Sequence, residues 1–386
     1  MKNAFQFHGR GGEYFGIWIV NILLTIVTLG LYNPWAHVRN KQYFYGNTEL
    51  AGERFEYLAT GKQIFLGRLI AGILFVAYIS LSNSMPIVSG AIFLFVMVAF
   101  PWVVQRSLRF NAVMTRYRGV RFGFVGTIKD AYVNFLGKPI LAYVIAALWV
   151  SGVVFVLGIM GVAISQPKDL LSGISLIVLV VLILTLFAFV QMFAWVNQGI
   201  ASYIHNGYLY GEHVFSAQLE TKQFDKIYWS GAKVAVVFVL IAAAIMGGLI
   251  YAFKSGTQMF ALVPLAGLGL YIGMFAVMLY VRALVYAKIR NYTYGQTLIG
   301  AERAYAFESN IMPSDYAVLL FTNTLMVIFS LGLLTPFVRV RIAEFLAKHT
   351  AIQGDLDALV TQEQAGVQTG ATADALSDVF NLDIQF

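Results

Sequence analysis

Apolar residues in this chain come in long unbroken runs divided by short polar linkers, with neither strict alternation nor a helical stripe. Eight runs are legible, at 14–32, 66–85, 86–105, 140–164, 174–197, 232–253, 259–281 and 316–337. Each is near the ~20 residues that a helix needs to cross ~30 Å of hydrocarbon. Aromatic residues gather at run ends (Tyr14, Trp35, Trp102, Trp195, Trp229), where amphipathic rings anchor spans at the membrane interface. The predicted fold class is all-α, a polytopic transmembrane helical bundle with internal repeats. Between runs one and two, Pro34 predicts a helix start, and Gly46-Asn47 with Gly52 predicts a small hairpin or turn.

The linkers repeat one another. Residues 34–62 read PWAHVRNKQYFYGNTELAGERFEYLATGK, and nine of them recur 67 positions later: Pro101, Trp102, Arg106, Thr115, Gly119, Arg121, Phe122, Thr127 and Lys129. Chance gives roughly two matches in such a window, so the period defines the architecture. YGQTLIGAER (294–303) matches YGNTELAGER (45–54), and a looser copy keeps Trp195, Tyr203, Asn206, Gly211 and Phe215. A shift of 302 pairs the two ends: Tyr14 with Tyr316, Asn21 with Asn323, Leu29-Gly30 with Leu331-Gly332, Pro34 with Pro336, Arg39 with Arg341 and Thr48 with Thr350.

Composition narrows the class. The chain is 59% hydrophobic and 12% charged, with mean hydropathy +0.73, against about 25% charged residues in soluble domains. The absence of cysteine excludes disulfides and thiolate chemistry. Lys2, Arg10 and Glu13 precede the first run with no small-x-small site after it, so no cleaved signal is predicted. The net charge of +7 reads as topology rather than nucleic-acid binding. Counting Arg68 and Lys233 at the near edges of runs two and six, linkers after odd-numbered runs hold nineteen Lys/Arg, and those after even-numbered runs hold two, Lys168 and Lys254. That asymmetry puts the repeated linkers in the cytoplasm, beside anionic headgroups. Eight full spans would strand both basic termini outside. Either the ends form an inverted pair, or runs one and eight dip in and return near Leu29-Gly30 and Leu331-Gly332, leaving six full spans. The second reading is favoured and requires other protein to cover the returning backbone. Residues 1–350 form the repeated bundle; the tail 351–386 has six acids and no Lys or Arg, which predicts a flexible cytoplasmic tail with at most a weak helix over 372–382.

The segment EYFGIWIVNILLTIVTLGLYNPWAHVRNKQYFYGNTELAGERFEY resembles the YjgN family of bacterial inner-membrane proteins, over roughly residues 5–350. The resemblance implies a multi-pass protein of a bacterial inner membrane and carries over no reaction or catalytic residue.

Candidate binding residues follow from the repeats. Arg39, Arg106 and Arg341 lie five residues after a proline, and Arg54, Arg121 and Arg303 six after a threonine. Guanidinium groups beside a membrane clamp phosphate or carboxylate, or simply anchor the bundle to lipid phosphates. Asn21 and Asn323 sit deep in equivalent runs, with Gln191 and Asn197 in run five. A buried amide needs a partner, so these either glue helices together or line a polar path. Thr48, Thr115, Thr297 and Thr350 share one register and are expected to satisfy local backbone. Small-residue pairs such as Gly269 and Gly273 signal close packing.

Chemistry is sparse. There is no Gly-x-Ser-x-Gly, His-Glu-x-x-His or Walker phosphate loop, and His205, His213 and Glu212 are the nearest to a metal or proton-handling group. The expectation is a protein without catalytic residues, cofactor or metal. It is read as transporter- or channel-like for a small anionic or amphipathic solute. The alternative is a membrane factor that organises lipids or partner proteins through basic cytoplasmic loops.

Overall fold

The computed structural model describes residues 1–159, 174–254, 262–300 and 305–356. Strand β1 (Lys2–Phe7) leads into α1 (Gly11–Val27) and α2 (Asn33–Gly46), followed by β2 (Thr48–Leu50), β3 (Glu53–Arg54) and β4 (Glu56–Tyr57). Helices α3 (Gly61–Ser82) and α4 (Pro86–Met114) precede β5 (Thr115–Tyr117) and β6 (Val120–Phe124). Next come α5 (Ile128–Tyr132), a π turn (Val133–Gly137), α6 (Lys138–Ile159), α7 (Ile174–His205), β7 (Tyr208–Tyr210) and β8 (His213–Ala217). The described chain continues through α8 (Thr221–Lys254), α9 (Leu262–Gln296), β9 (Thr297–Ile299), β10 (Tyr305–Ser309), α10 (Pro313–Phe329), α11 (Thr335–Lys348) and β11 (Thr350–Gln353).

The all-α expectation is corrected by the linkers. Their strands join into one 11-stranded sheet in the order β3-β2-β1-β11-β10-β9-β8-β7-β6-β5-β4. The two outer strands, β3 and β4, are separated in sequence only by Phe55, so the sheet curls almost closed. Every neighbouring pair is antiparallel, and β1 pairs with β11 through Lys2↔Gln353, Asn3↔Ile352 and Ala4↔Ala351. These strands run from two to six residues. Such lengths are too short for a period of two to stand out in sequence.

Alternation then separates the two sheet faces. One phenylalanine from each linker, with Phe5 from the N-terminal strand, forms a chain of ring contacts. Centroid distances are 6.1 Å for Phe5–Phe55, 6.4 Å for Phe55–Phe122, 6.5 Å for Phe122–Phe215 and 5.7 Å for Phe215–Phe307. Tyr117, Tyr208 and Tyr210 join the same core, and Leu108 and Ala112 of α4 pack on it. The opposite face carries Arg116, paired with Glu56, and Lys2, whose Nζ is 2.8 Å from Glu308. Each of the four threonines opening a strand donates to the carbonyl four residues back: Thr48 to Phe44, Thr115 to Asn111, Thr297 to Thr293 and Thr350 to Leu346, at 2.6–2.9 Å. The hydroxyl thereby satisfies a carbonyl left over at the helix end.

Among the described residues, six helices are long and apolar enough to cross a membrane: Gly61–Ser82, Pro86–Met114, Ile128–Val156, Val180–His205, Thr221–Tyr251 and Val263–Gln296. Their large apolar side chains, such as Phe95, Leu182, Leu240 and Leu265, point outward, as expected where lipid replaces water. Consecutive helices pack on one another around the sheet, and α11 closes the ring on α1. Helices α1 and α10 have 17 residues each, about 25 Å at 1.5 Å per residue. The wall of long helices is therefore low on one side, where the hairpins α1–α2 and α10–α11 stand side by side between α3 and α9.

Candidate functional site

The two short hairpins reverse with matching geometry. Leu29 and Leu331 adopt left-handed backbone (φ +50° and +51°), each followed by a glycine at φ +91°. The Gly30 N–H donates to Thr25 O at 2.7 Å and the Gly332 N–H to Val327 O at 2.8 Å, closing the preceding helix. The Thr28 hydroxyl accepts from the Tyr32 N–H, and the Ser330 hydroxyl from the Leu334 N–H, both at 3.0 Å, so one side chain ends one helix and starts the next. Pro34 and Pro336 then occupy first-turn positions, where the missing N–H costs nothing. At each tip a leucine in strained conformation is 93% exposed. Val27, Leu31, Phe329 and Leu333 surround the tips, also exposed. Such a surface is unfavourable in water and suited to hydrocarbon.

Below the tips the hairpins are tied by buried polar side chains. Asn21 is 4% exposed and its Nδ2 donates to Asn40 Oδ1 at 3.2 Å, joining α1 to α2. Asn323 is 3% exposed, and its Oδ1 accepts from Arg341 Nη1 at 2.7 Å. Arg341 also reaches Met326 Sδ at 2.9 Å and Thr322 Oγ1 at 3.3 Å. The hairpins meet where Arg339 Nη1 donates to the Tyr14 hydroxyl at 3.2 Å and Phe15 packs on Phe337. On the flank, Arg68 of α3 donates to Asn33 Oδ1 at 2.8 Å. One amide atom on each side, Asn21 Oδ1 and Asn323 Nδ2, is buried without a hydrogen-bond partner.

Over residues 2–379 the chain matches the family described as "Bacterial protein of unknown function (DUF898)". The chain belongs to this family. It is similar to the "Inner membrane protein YjgN" of Salmonella typhimurium, 27% identical over 372 residues, and to that of Escherichia coli K12, 28% identical over 382 residues. Each alignment covers 93% of this chain and 90% of the relative. No solved structure matches. With six membrane-length apolar helices, this membership makes the chain a multi-pass protein of the bacterial inner membrane.

The ten binding residues expected from the sequence do not form one site. Asn21, Asn323 and Arg341 lie in the paired hairpins, with Arg39 nearby over the Tyr32 ring at 5.7 Å. Arg106 sits over its own helix's Trp102 at 5.8 Å. Arg54, whose Nη1 approaches Gly46 O at 3.4 Å, and Arg121 are exposed on strands β3 and β6. Gln191 bridges α7 to α8 by donating to Asp225 Oδ2 at 2.8 Å, in the orientation that satisfies its amide. Asn197 donates to Phe193 O of its own helix at 2.8 Å. Arg303 lies outside the described residues, as do 357–386 of the acidic tail. The two arginine registers thus serve different places, helix interiors and, for Arg54 and Arg121, strand surfaces.

Contributors that the sequence did not mark as binding residues include Asn40, Arg68 and Thr322, and Tyr14 was marked only as an interfacial aromatic and a repeat match. Arg68 did carry a signal, as a charge inside an apolar run. The amide of Asn40, adjacent to the repeated Arg39, has no counterpart in the other copies and was therefore invisible to the repeat. The histidines do not assemble either: His205 Nδ1 lies 2.9 Å from Thr297 Oγ1, and no group of three His, Asp or Glu with metal-binding geometry occurs among the described residues.

Proposed function

We propose that this protein handles bilayer lipid, with the paired short hairpins as its working part. In this reading five copies of a strand–helix–helix–strand unit make the ring, and the first and last copies are shortened. Hairpins α1–α2 and α10–α11 enter the membrane from the cytoplasmic side and return. They leave a low stretch in the wall of six spans, where the bilayer is locally thin and an amphipathic anion slides past. The observation that carries this reading is the matched pair of left-handed, 93% exposed leucine tips above buried polar ties. An exposed leucine in strained backbone burdens a water-facing loop twice over, and is useful where it touches acyl chains. A dedicated aqueous path is less well supported, because Asn21, Asn323, Gln191 and Asn197 are each held in separate helix contacts. No bond-making step is assigned, and the proposed role is non-enzymatic.

The test is reconstitution of the purified full-length protein into vesicles holding a fluorescent phospholipid. Leaflet exchange should exceed that of protein-free vesicles and fall several-fold in Leu29→Asp/Leu331→Asp, with helical content unchanged. Exchange equal to protein-free vesicles contradicts the reading. A second reading, docking of an anionic partner on the basic cytoplasmic face, draws on Arg116 and Arg121 standing directly opposite across β5–β6. Glu56 beside Arg116 already offsets part of their mutual repulsion, which weakens this reading.

A further inference from the structure

Arg290 of α9 is the most deeply buried arginine among the described residues, at 6% exposure. Among the described residues its Nη2 donates to Thr350 Oγ1 at 3.1 Å, the Tyr294 hydroxyl is a second polar neighbour, and its Nε is buried with no partner. The guanidinium rests 4.1 Å from the centroid of the Tyr294 ring. No carboxylate among the described residues forms an ion pair with it. Its buried neighbours Thr293, Thr297 and Thr350 are uncharged, Tyr286 and Tyr316 stack at 4.8 Å on the same flank, and a further charge on that flank is another cation, Arg282. A guanidinium keeps its charge at any accessible pH. Two neutral hydroxyls and a ring face carry no charge to balance it and leave Nε unserved, so they do not replace the hydration it has lost. Other arginines here are better served. Arg116 has Glu56, Arg118 reaches the Leu356 carbonyl at 2.7 Å, and Arg341 has three neighbours.

His205 completes the setting. The Thr297 hydroxyl donates to Thr293 O at 2.7 Å, so its oxygen is left to accept from His205 Nδ1 at 2.9 Å. The imidazole therefore carries its proton on Nδ1 and presents Nε2 as an acceptor. The His205 ring stands edge-on to the Tyr294 ring at 6.1 Å between centroids, the same ring that the Arg290 guanidinium covers.

We propose that Arg290 anchors an oxyanion site at the junction of α7, α9, β9 and β11, and that its ligand is a phosphate monoester or hydrogen phosphate. Such a group has oxygens to accept from the guanidinium fork and a hydroxyl to donate to a neutral imidazole. A carboxylate has only the first. The site stands on the helix–sheet junction and does not depend on lipid passing the short hairpins. The same chemistry arrives on a lipid headgroup or on a soluble phosphate.

Thermal unfolding of the full-length protein in an uncharged detergent, stripped of lipid and held at constant ionic strength, decides between these. The probes are inorganic phosphate, dioctanoyl phosphatidic acid and, as the lipid lacking a monoester, dioctanoyl phosphatidylcholine. A ligand that binds only the folded state raises the midpoint with concentration. We expect phosphatidic acid or phosphate to do so and phosphatidylcholine to do nothing. A response to inorganic phosphate assigns a soluble ligand, and a response to phosphatidic acid alone assigns the lipid headgroup. Arg290→Gln should weaken the responding ligand by about tenfold or more, as loss of a charge-assisted contact does. Arg290→Lys, which keeps the charge without the fork, and Thr350→Val should each weaken it less. These two variants serve if Arg290→Gln does not fold. No midpoint shift with either phosphate compound overturns the proposal. So does an equal shift with phosphatidylcholine, or an affinity unchanged in Arg290→Gln, or in both milder variants.

Discussion

Asn323 Oδ1 accepts a 2.7 Å hydrogen bond from Arg341 Nη1 inside the α10–α11 hairpin, placing a cation against an amide between two helices of an apolar loop. Removing the amide leaves the guanidinium without its best acceptor. Asn323→Leu should therefore destabilise the protein by about 1.5–3 kcal/mol, the range for a hydrogen bond to a charged group. Adding Arg341→Leu should recover part of that loss, because the unpaired charge is removed too. Thermal unfolding of both variants checks the sign. Equal losses in the single and double variants would show that the pair is not coupled.

The tips make an opposite prediction for stability and for function. A side chain in left-handed backbone costs ~1–2 kcal/mol relative to glycine, and Leu29 and Leu331 contact little protein. Leu29→Gly/Leu331→Gly should hold or raise the unfolding midpoint while lowering lipid exchange. A lowered midpoint would mean that the leucines hold the hairpins together rather than meet lipid.

Ring closure depends on one close approach. A Cβ built on Gly11 would collide with the Phe337 ring, where α1 meets α11. Gly11→Ala should cost about 1–3 kcal/mol as an overpacking change, and should speed amide exchange in β1 and β11 before the long helices. Gly12, which has open space around its Cβ, is the control. Equal effects at both positions would argue against closure through this contact.

The same closure has a weak pH dependence. Hydrogen bonds from Lys2 and Gln353 hold the Glu308 carboxyl below its ordinary range. A carboxylate depressed in the folded state adds stability above its unfolded pKa. That contribution is lost as pH falls through the lower folded value. The pair is partly exposed, so less than about 1 kcal/mol is involved. Protection of the β1 amides, taken relative to the intrinsic exchange rate at each pH, should fall below about pH 4 in wild type, and Glu308→Gln should show that lower protection at neutral pH. A wild-type profile identical to that of Glu308→Gln would remove the pair from the account.

Much of the helical layer was legible because lipid selects on composition: runs of apolar residues expose six long helices without tertiary information. The reversals at Leu29-Gly30 and Leu331-Gly332 were also legible, since a glycine ahead of a proline leaves the chain few ways to continue. The sheet was not. Strands such as Thr48–Leu50 are too short to show alternation, and β1–β11 pairs residues some 350 positions apart, which no local pattern encodes. At the candidate site, the equivalence of Asn21 and Asn323 was visible, but their partners differ. Asn40 serves one and Arg341 the other, so the repeat located the amides without saying what they bind. Arg39 and Arg54 look alike in spacing arguments and lie apart, one on a helix and one on a strand. Arg290, largely buried at the helix–sheet junction, gave no sequence signal because its burial is created by the fold.

The account rests on the short hairpins entering the bilayer and returning. Because the chain has no cysteine, Leu29→Cys and Leu331→Cys each give a single thiol for an attached fluorophore in reconstituted protein. Nitroxide groups carried on lipid acyl chains should quench both labels strongly and equally, and a membrane-impermeant maleimide should label neither thiol from either side. Ready labelling of both thiols by the impermeant reagent, with no quenching by acyl-chain nitroxides, would place the tips in water and contradict the account.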